Sequence, residues 1–342
     1  MSTPQTVSIV GGVLAGLSLG IALRRAQVPA VIFEAGDYPR HRVCGEFITG
    51  LDEVTIEKLG IGEAFAGADS HRQVTWFLSG NAFGRHVLPS PARALSRFAL
   101  DARLANLFVA EGGTLEVCSR IPAPPTQAGW VIAAGRNPCV SSSWIGLKFH
   151  VRHLASSEGL ELHLGKGAYV GVSSVENGWI NVCGLFRSRP ELRFERHQAL
   201  PAYLRAAGLH ALADRLLSAQ IRPDSIKAMA GIRINRRLEN NEGVNLGDAS
   251  AMIPPFTGNG MAMAFTAARL AFEPLVAWSK RELSWDEAAG VIHRALHREF
   301  RMRLNAAMFL HPFLLNPGAQ ACLAGAARTG ILPFGSLYRL LH

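Results

Sequence analysis

The strand-turn-helix that opens the chain, Ile9-Val10-Gly11-Gly12-Val13-Leu14-Ala15-Gly16, limits the fold more than any other stretch. A β-branched run over residues 7–10 predicts a buried strand, and apolar residues on a helical period over 15–26 predict the helix after it. Ala30-Val31-Ile32-Phe33 reads as a second buried strand, so the segment is a βαβ unit on a parallel sheet. Glycines at Gly11, Gly12 and Gly16, with the small Ala15, allow the tight turn and leave the first helical N–H groups facing outward, where they bind anions. Glu34 closes the second strand 18 residues after Gly16, near the spacing at which a carboxylate meets the ribose hydroxyls of an adenine dinucleotide.

More than two hundred residues later, Gly247-Asp248-Ala249 runs into Pro254-Pro255-Phe256-Thr257-Gly258-Asn259-Gly260. This predicts another strand, with Asp248 at its end to bond a ribityl or ribose hydroxyl, and another helix from Met261 to about residue 271. The N–H groups freed by the Gly258-Asn259-Gly260 turn suit the N1–C2=O edge of an isoalloxazine, where negative charge collects on reduction. The two segments together predict FAD held at both ends. A dehydrogenase using only the first unit for NAD would leave residues 247–260 unexplained. Val13 stands where the usual fingerprint has its middle glycine; losing one charge-assisted hydrogen bond there would cost about 1.5–3 kcal/mol, roughly ten- to a hundredfold in affinity.

With 342 residues, 49% hydrophobic and 18% charged, the chain can build a sizeable core. Its net charge of +9 fits a phosphate-rich cofactor, while the scatter of Arg25, Arg40, Arg42, Arg97, Arg136, Arg233 and Arg237 argues against nucleic acid. Five cysteines without a C-x-x-C pair indicate neither a disulfide framework nor zinc, and no signal-like segment opens the chain, so a cytoplasmic location is expected. No apolar run is long enough to span a bilayer. The apolar stretches 308–315 and 331–334 are broken by Pro and Gly, which favours burial over peripheral membrane contact.

Helices are expected at 51–65 and 97–111, with strands at Val74–Leu78 and Arg85–Leu88 about a Gly80-Asn81 turn. Leu115–Cys118 and residues 130–136 read as further strands, separated by a proline-rich exposed loop. Alternation between 145 and 186 predicts an inserted, mostly antiparallel sheet with a hairpin turn at Glu176-Asn177-Gly178. Helical stretches follow at about 197–219, then a strand near 228–234, and Ser284-Trp285-Asp286-Glu287 is a capping box opening a helix to about Met308. The expected architecture is α/β: a Rossmann-like FAD-binding domain from residues 1–70, 95–140 and 241–280, an inserted antiparallel substrate domain from 71–94 and 141–240, and a C-terminal helical segment, 281–342. His293 and His297, and likewise His150 and His153, lack a third ligand at a telling distance, so no metal site is expected. Lys148 and His150, on an inserted strand, are candidates for facing a substrate cavity, with surface placement as the default, and Cys44 is assigned to packing rather than to a reactive thiol.

Pro39-Arg40-His41-Arg42-Val43-Cys44-Gly45-Glu46, following the βαβ fingerprint, resembles the P-R-x-K/R-x-C-G-E segment of geranylgeranyl reductase-like flavoproteins, within the p-hydroxybenzoate hydroxylase-type superfamily. Ser96-Arg97 with Leu100-Asp101, Ala134-Gly135-Arg136 and the Gly-Asp…Pro…Gly-x-Gly segment follow in that family's order, over roughly residues 7–275. The resemblance implies FAD near Gly11, Gly12, Ala15, Gly16 and Glu34, with Arg97 and Gly135 beside it and Asp248, Pro254, Gly258, Asn259 and Gly260 along its other half. It also implies that Arg42, Cys44 and Glu46 line the flavin or substrate, and that NADPH or NADH is the reductant. The connection 118–130 is shorter than the meander of that family. Hydroxylation, dehydrogenation and double-bond reduction of an apolar aromatic, polyketide-like or isoprenoid-like molecule, as in secondary metabolism, are the expected reactions. Halogenation is disfavoured because the W-x-W-x-I-P segment is missing and residues 59–147 contain no lysine. The competing reading, motivated by Val13 and the short connection, is a fold that has lost FAD and serves as a binding or partner protein.

Overall fold

The computed structural model describes residues 3–122, 125, 127–134, 142–155, 159–234 and 243–342. Strands β1 (Val7–Val10), β2 (Ala30–Phe33), β6 (Thr114–Glu116), β7 (Trp130–Ile132) and β14 (Val244–Asn245) form one parallel sheet in the order β14-β7-β1-β2-β6. Strands β3 (Phe47–Ile48), β4 (Asp69–Leu78), β5 (Asn81–Ala94), β8 (Trp144–Arg152), β9 (Leu160–Gly165), β10 (Ala168–Val175), β11 (Trp179–Arg187), β12 (Gln220–Ile221) and β13 (Lys227–Ala230) form the second. That sheet is antiparallel except where β4 runs parallel to β9. The fold is therefore the expected α/β one.

Helix α1 (Leu14–Arg25) is buried from Leu14 to Leu23, as a helix sandwiched on all sides must be. Gly20 permits this: a Cβ there would come within 2.8 Å of both Ile32 and Phe108, the latter on α3 (Arg97–Ala110). On its other side α1 packs against α6 (Gly260–Ser279), which in turn packs against α7 (Trp285–Leu310). The capping box at Ser284 forms as expected: its hydroxyl accepts from the Glu287 N–H and the Glu287 carboxylate accepts from the Ser284 N–H at 2.9 Å. The 176–178 hairpin also forms, with Asn177 and Gly178 at φ 60° and 72° between Val175 and Trp179.

Several boundaries shift for local reasons. The expected helix over 51–65 stops at left-handed Gly60, leaving α2 (Glu53–Leu59) and a 3-10 turn over Gly62–Phe65. The β4–β5 turn is Ser79-Gly80, one residue earlier than expected, with both residues at positive φ. Left-handed Gly208 divides the 197–219 stretch into α4 (Ala199–Ala206) and α5 (His210–Arg215). Cys118 at φ 54° lies outside β6, and the 228–234 strand is Lys227–Ala230. Helix α6 continues past residue 271 to Ser279 with Pro274 inside it. Gly135 and Arg136 lie outside the described residues.

The second sheet carries a different apolar layer on each face. One face, with Leu147, Phe149 and Val151, meets Leu200, Tyr203 and Leu204 of α4. The other, with Val74, Leu160 and Leu162, is covered by the C-terminal helices α8 (Pro317–Arg328) and α9 (Phe334–Leu341). No described helix is long and apolar enough to cross a membrane.

Candidate active site

Because all five strands of the first sheet are parallel, their C-terminal ends share one edge, where open α/β sheets bind ligands. Gly11-Gly12-Val13 follows β1, Glu34 follows β2, Ala133-Ala134 follows β7 and Gly247-Asp248 follows β14. A Cβ on Gly247 would sit 3.4 Å from that of Ala15, so the two glycine turns are neighbours. Gly11, at φ 109°, allows no side chain: a Cβ would lie 2.6 Å from that of Ala134. Val13 caps α1 at φ −125°, which any residue adopts, so the valine introduces no backbone strain. Neither α1 nor α6 has a side-chain cap or an acidic residue in its first turn, so both helix openings are suited to an anion.

Beside this edge the charges form a continuous seam. Glu34 is buried and takes the Arg40 guanidinium and the Gly36 N–H, with Arg42 Nη2 3.8 Å away. Arg42 donates to Asp101 at 2.9 Å, and Arg97 binds the same carboxylate through two hydrogen bonds of 2.6 and 2.8 Å. Burial alone would weaken the Arg97 cation, but the Asp101 carboxylate more than reverses this and raises its pKa. Cys44 is half-buried and packs against the core of the first sheet. Tyr38 lies among these charges and donates to the Gly12 carbonyl; burial and then the Glu34 and Asp101 charges push its pKa up, keeping it protonated.

The seam continues into the second sheet through Glu46, which is fully buried at φ 58°. Its carboxylate accepts from the Arg97 N–H at 2.9 Å, Lys148 Nζ at 2.8 Å and His150 Nε2 at 2.5 Å. Burial would raise the Glu46 pKa, but the Lys148 cation and the His150 hydrogen bond hold it at about 2. His41 completes the cluster, its Nδ1 3.4 Å from Lys148 Nζ and its ring stacked on Phe98; burial and then the Lys148 charge lower its pKa to about 4. Asn181 holds the adjoining turn by donating to the Cys44 and Gly45 carbonyls at 3.0 and 2.8 Å.

Lys148 and His150 are therefore not surface residues, contrary to expectation: both are buried on β8. The usable signal was alternation. Leu147, Phe149 and Val151 point to one core, so Gly146, Lys148 and His150 had to face the opposite element, the 41–46 segment. His41, Glu46 and His150 have ligand atoms within 4.8 Å of one another, a grouping that spacing in sequence did not reveal. The Lys148 ammonium already supplies the cation there. His293 instead pairs with the Gly243 carbonyl at 2.9 Å.

On the other side of the 41–50 segment lies an apolar cavity of about 120 Å³. Phe47, Val74, Trp76, Leu162 and Phe256 form part of its wall, and α9 and His342 close it. The closure is latched at the second glycine turn. Asn259 Nδ2 donates to the Leu341 carbonyl at 2.5 Å, and His342 Nε2 meets Thr49 Oγ1 at 2.6 Å. Phe47 packs on Gly258, where a Cβ would clash with its ring. Pro254 and Asn259 are buried and Gly260 is exposed. The C-terminal segment is accordingly divided: Leu314 and Leu341 are buried, while Phe309, Phe313 and Ile331 are exposed.

No protein-family model matches the chain, and no curated protein sequence does. Solved structures do. p-Nitrophenol 4-monooxygenase PnpA from Pseudomonas putida DLL-E4 aligns with a TM-score of 0.78 at 12% identity, over 100% of this chain and 97% of that one. HpxO from Klebsiella pneumoniae, solved with FAD and uric acid, gives 0.78 at 15%, over 98% and 96%. The flavin-dependent brominase Bmp2 gives 0.74 at 16%, over 99% and 93%. The chain shares their fold from end to end.

Proposed function

We propose that this chain is an FAD-dependent oxidoreductase of hydroxylase or dehydrogenase type, acting on an apolar aromatic small molecule and reduced by NADPH or NADH. One observation carries the reading. Two uncapped helix openings, α1 and α6, adjoin a single sheet edge flanked by the buried Arg97 and the half-buried Arg42, and an apolar cavity abuts the second of them. The residues present fit the group: Arg42 Nη2 and Asn259 Oδ1 are buried without a hydrogen-bond partner. Structures of the same fold solved with FAD, or described as flavin-dependent, add support.

In this reading the nucleotide-binding part comprises residues 1–70, 95–140 and 241–280, the substrate part 71–94 and 141–240, and the helical cover 281–342. Gly11, Gly12, Ala15 and Gly16 would present α1 N–H groups to the pyrophosphate, and Arg42 and Arg97 would add positive charge. Glu34 and Asp248 would take sugar hydroxyls, Glu34 by exchanging its Arg40 contact. Pro254, Gly258, Asn259 and Gly260 would aim α6 at the flavin edge. Bound FAD supplies hydride acceptance and oxygen activation. The protein's part is to orient the substrate, exclude water with apolar walls, and fix the charge that develops at the α6 opening. Glu46 serves as the buried support of the Arg97 turn, and Cys44 packs against the core.

The test is the absorption spectrum of the purified protein, before and after adding FAD, followed by NAD(P)H oxidation with aromatic substrates. Flavin bands and substrate-dependent oxidation support the reading. A specific contact favours a second reading, a binding protein without cofactor: Tyr38 occupies the face of Gly12 and bonds its carbonyl. A preparation that stays colourless with added FAD selects that alternative.

A further inference from the structure

Apart from Glu161, the polar lining of the cavity beneath α9 gathers at one corner, where Thr49, Thr257, Tyr338 and His342 meet. His342 Nδ1 lies 2.8 Å from the Tyr338 carbonyl, which can only accept, so Nδ1 carries the proton of the neutral ring. Nε2 is then an acceptor, and at present it takes the Thr49 hydroxyl. That hydroxyl has a second acceptor in reach, the Thr257 carbonyl at 3.2 Å. A ligand donating to Nε2 would turn Thr49 toward Thr257 and strand no polar group. Tyr338 stacks on His342 at 3.8 Å, and its buried hydroxyl has no partner at all. The corner thus presents one exchangeable acceptor and one unsatisfied hydroxyl, which is the complement of another hydroxyl.

The charge pattern excludes anions. The cavity lining contains no lysine or arginine, and its one formal charge is the Glu161 carboxylate, itself bound to Arg215 at 2.9 Å and His163 at 2.7 Å. A carboxylate entering would lose its water and meet no cation. Burial also lowers the His342 pKa to about 4, so the ring is neutral near pH 7. The volume is close to that of a cavity able to hold one benzene ring, and the exposed lining residue Phe313 marks where it reaches the surface.

We propose that this cavity binds a neutral aromatic molecule through a hydroxyl group, which donates to His342 Nε2 and accepts from Tyr338, and that it rejects the matching carboxylate. This rests on reading the cavity as the substrate site, but it concerns binding and needs no turnover.

The experiment titrates the full chain at pH 7 with 4-propylphenol, propylbenzene and 4-propylbenzoate, by calorimetry and by the fluorescence of Trp76, which lines the cavity. The phenol should bind about tenfold more tightly than propylbenzene, the value of one good hydrogen bond, and the benzoate should not saturate. His342→Phe and Tyr338→Phe should each erode the phenol's advantage, and His342→Gln, which keeps an acceptor, should retain part of it. Should His342→Phe fail to fold, Tyr338→Phe carries the test alone. Equal binding of phenol and propylbenzene, saturable benzoate binding, or an undiminished preference in a folded Tyr338→Phe protein overturns the proposal. Flavin content is read separately: a protein that stays colourless with added FAD and still prefers the phenol refutes the cofactor and leaves the anchor standing.

Discussion

Glu46 and Phe47 are consecutive in sequence, yet they belong to opposite environments. Glu46 turns into the charged seam among Arg97, Lys148 and His150, and Phe47 turns into the apolar cavity against Gly258. In the seam each carboxylate has more than one partner, and at its buried end the loss of Lys148 or Glu46 leaves the other as an uncompensated charge. The cavity is open, built from walls whose contacts are individually small, with its polar corner offering exchangeable partners. Intolerance is therefore expected on the Glu46 side and tunability on the Phe47 side.

The largest effect should come from Lys148→Met. Losing one partner of a buried ion pair typically costs about 3–5 kcal/mol because the other charge is left uncompensated. The unfolding free energy from urea denaturation should fall by that order, and a loss under about 1 kcal/mol would mean Glu46 is adequately held by His150 and the Arg97 N–H alone. A wall substitution such as Leu162→Ala, facing space that is already empty, should fall near the low end of the usual 2–5 kcal/mol. If the two come out equal, the contrast between the regions fails.

Acid distinguishes the regions less strongly. His41 has a pKa of about 4 against an ordinary 6.5, so the unfolded chain takes up a proton at a pH where the folded one does not. Its contribution is complete above about pH 6.5 and is lost as the pH falls to about 4. Glu46, at about 2 against 4.5, adds a second loss between 4.5 and 2. His311 and His342, both lowered to about 4 by burial, share the first window. Melting temperature against pH should therefore slope downward from 6.5 to 4. His41→Gln should reduce that slope and leave the lower segment, which belongs to Glu46, in place; an unchanged slope would mean His41 is already charged in the folded protein.

The contrast also separates what was legible in the sequence from what was not. The 176–178 hairpin and the Ser284 capping box were readable because each is set by residues within a few positions of one another, and the βαβ unit because each of its elements carries its own periodicity. The seam was not, because Lys148 and Glu46 lie 102 positions apart and a lone lysine is by default a surface residue. Only the strict alternation along β8 betrayed it. Thr49 and His342, 293 positions apart, left no local signal at all. The proposed cofactor residues were nameable because Gly11 and Gly247 are required by backbone conformation. The occupant of Gly12's open face, Tyr38, came from a tertiary packing choice that no spacing rule encodes.

Between the two regions in expected size stands Val13→Gly. Since Val13 adopts an ordinary extended φ, glycine would relieve no strain there, and its gain would come only from closer approach of a diphosphate. FAD affinity, measured by quenching of flavin fluorescence, should rise roughly ten- to a hundredfold, equivalent to about 1.5–3 kcal/mol. No gain would mean that Tyr38, and not the valine, controls access to the α1 opening, and Tyr38→Phe would then become the informative variant.

The smallest effect should come from Thr49→Val, which replaces the hydroxyl by a methyl of similar shape. His342 Nε2 loses its donor and the Thr257 carbonyl loses a weak 3.2 Å contact, so stability should fall by about 0.5–1.5 kcal/mol, the net worth of one hydrogen bond. The same change leaves Nε2 without a donor, so a ligand hydroxyl no longer competes with one for it. Binding of 4-propylphenol should therefore tighten modestly while the fold weakens modestly, opposite signs from a single side chain. Glu46 cannot behave this way, because both of its carboxylate oxygens already hold buried partners. Loss of both stability and phenol affinity in Thr49→Val would show that the corner, too, is a closed network, and the difference between the Glu46 side and the Phe47 side would disappear.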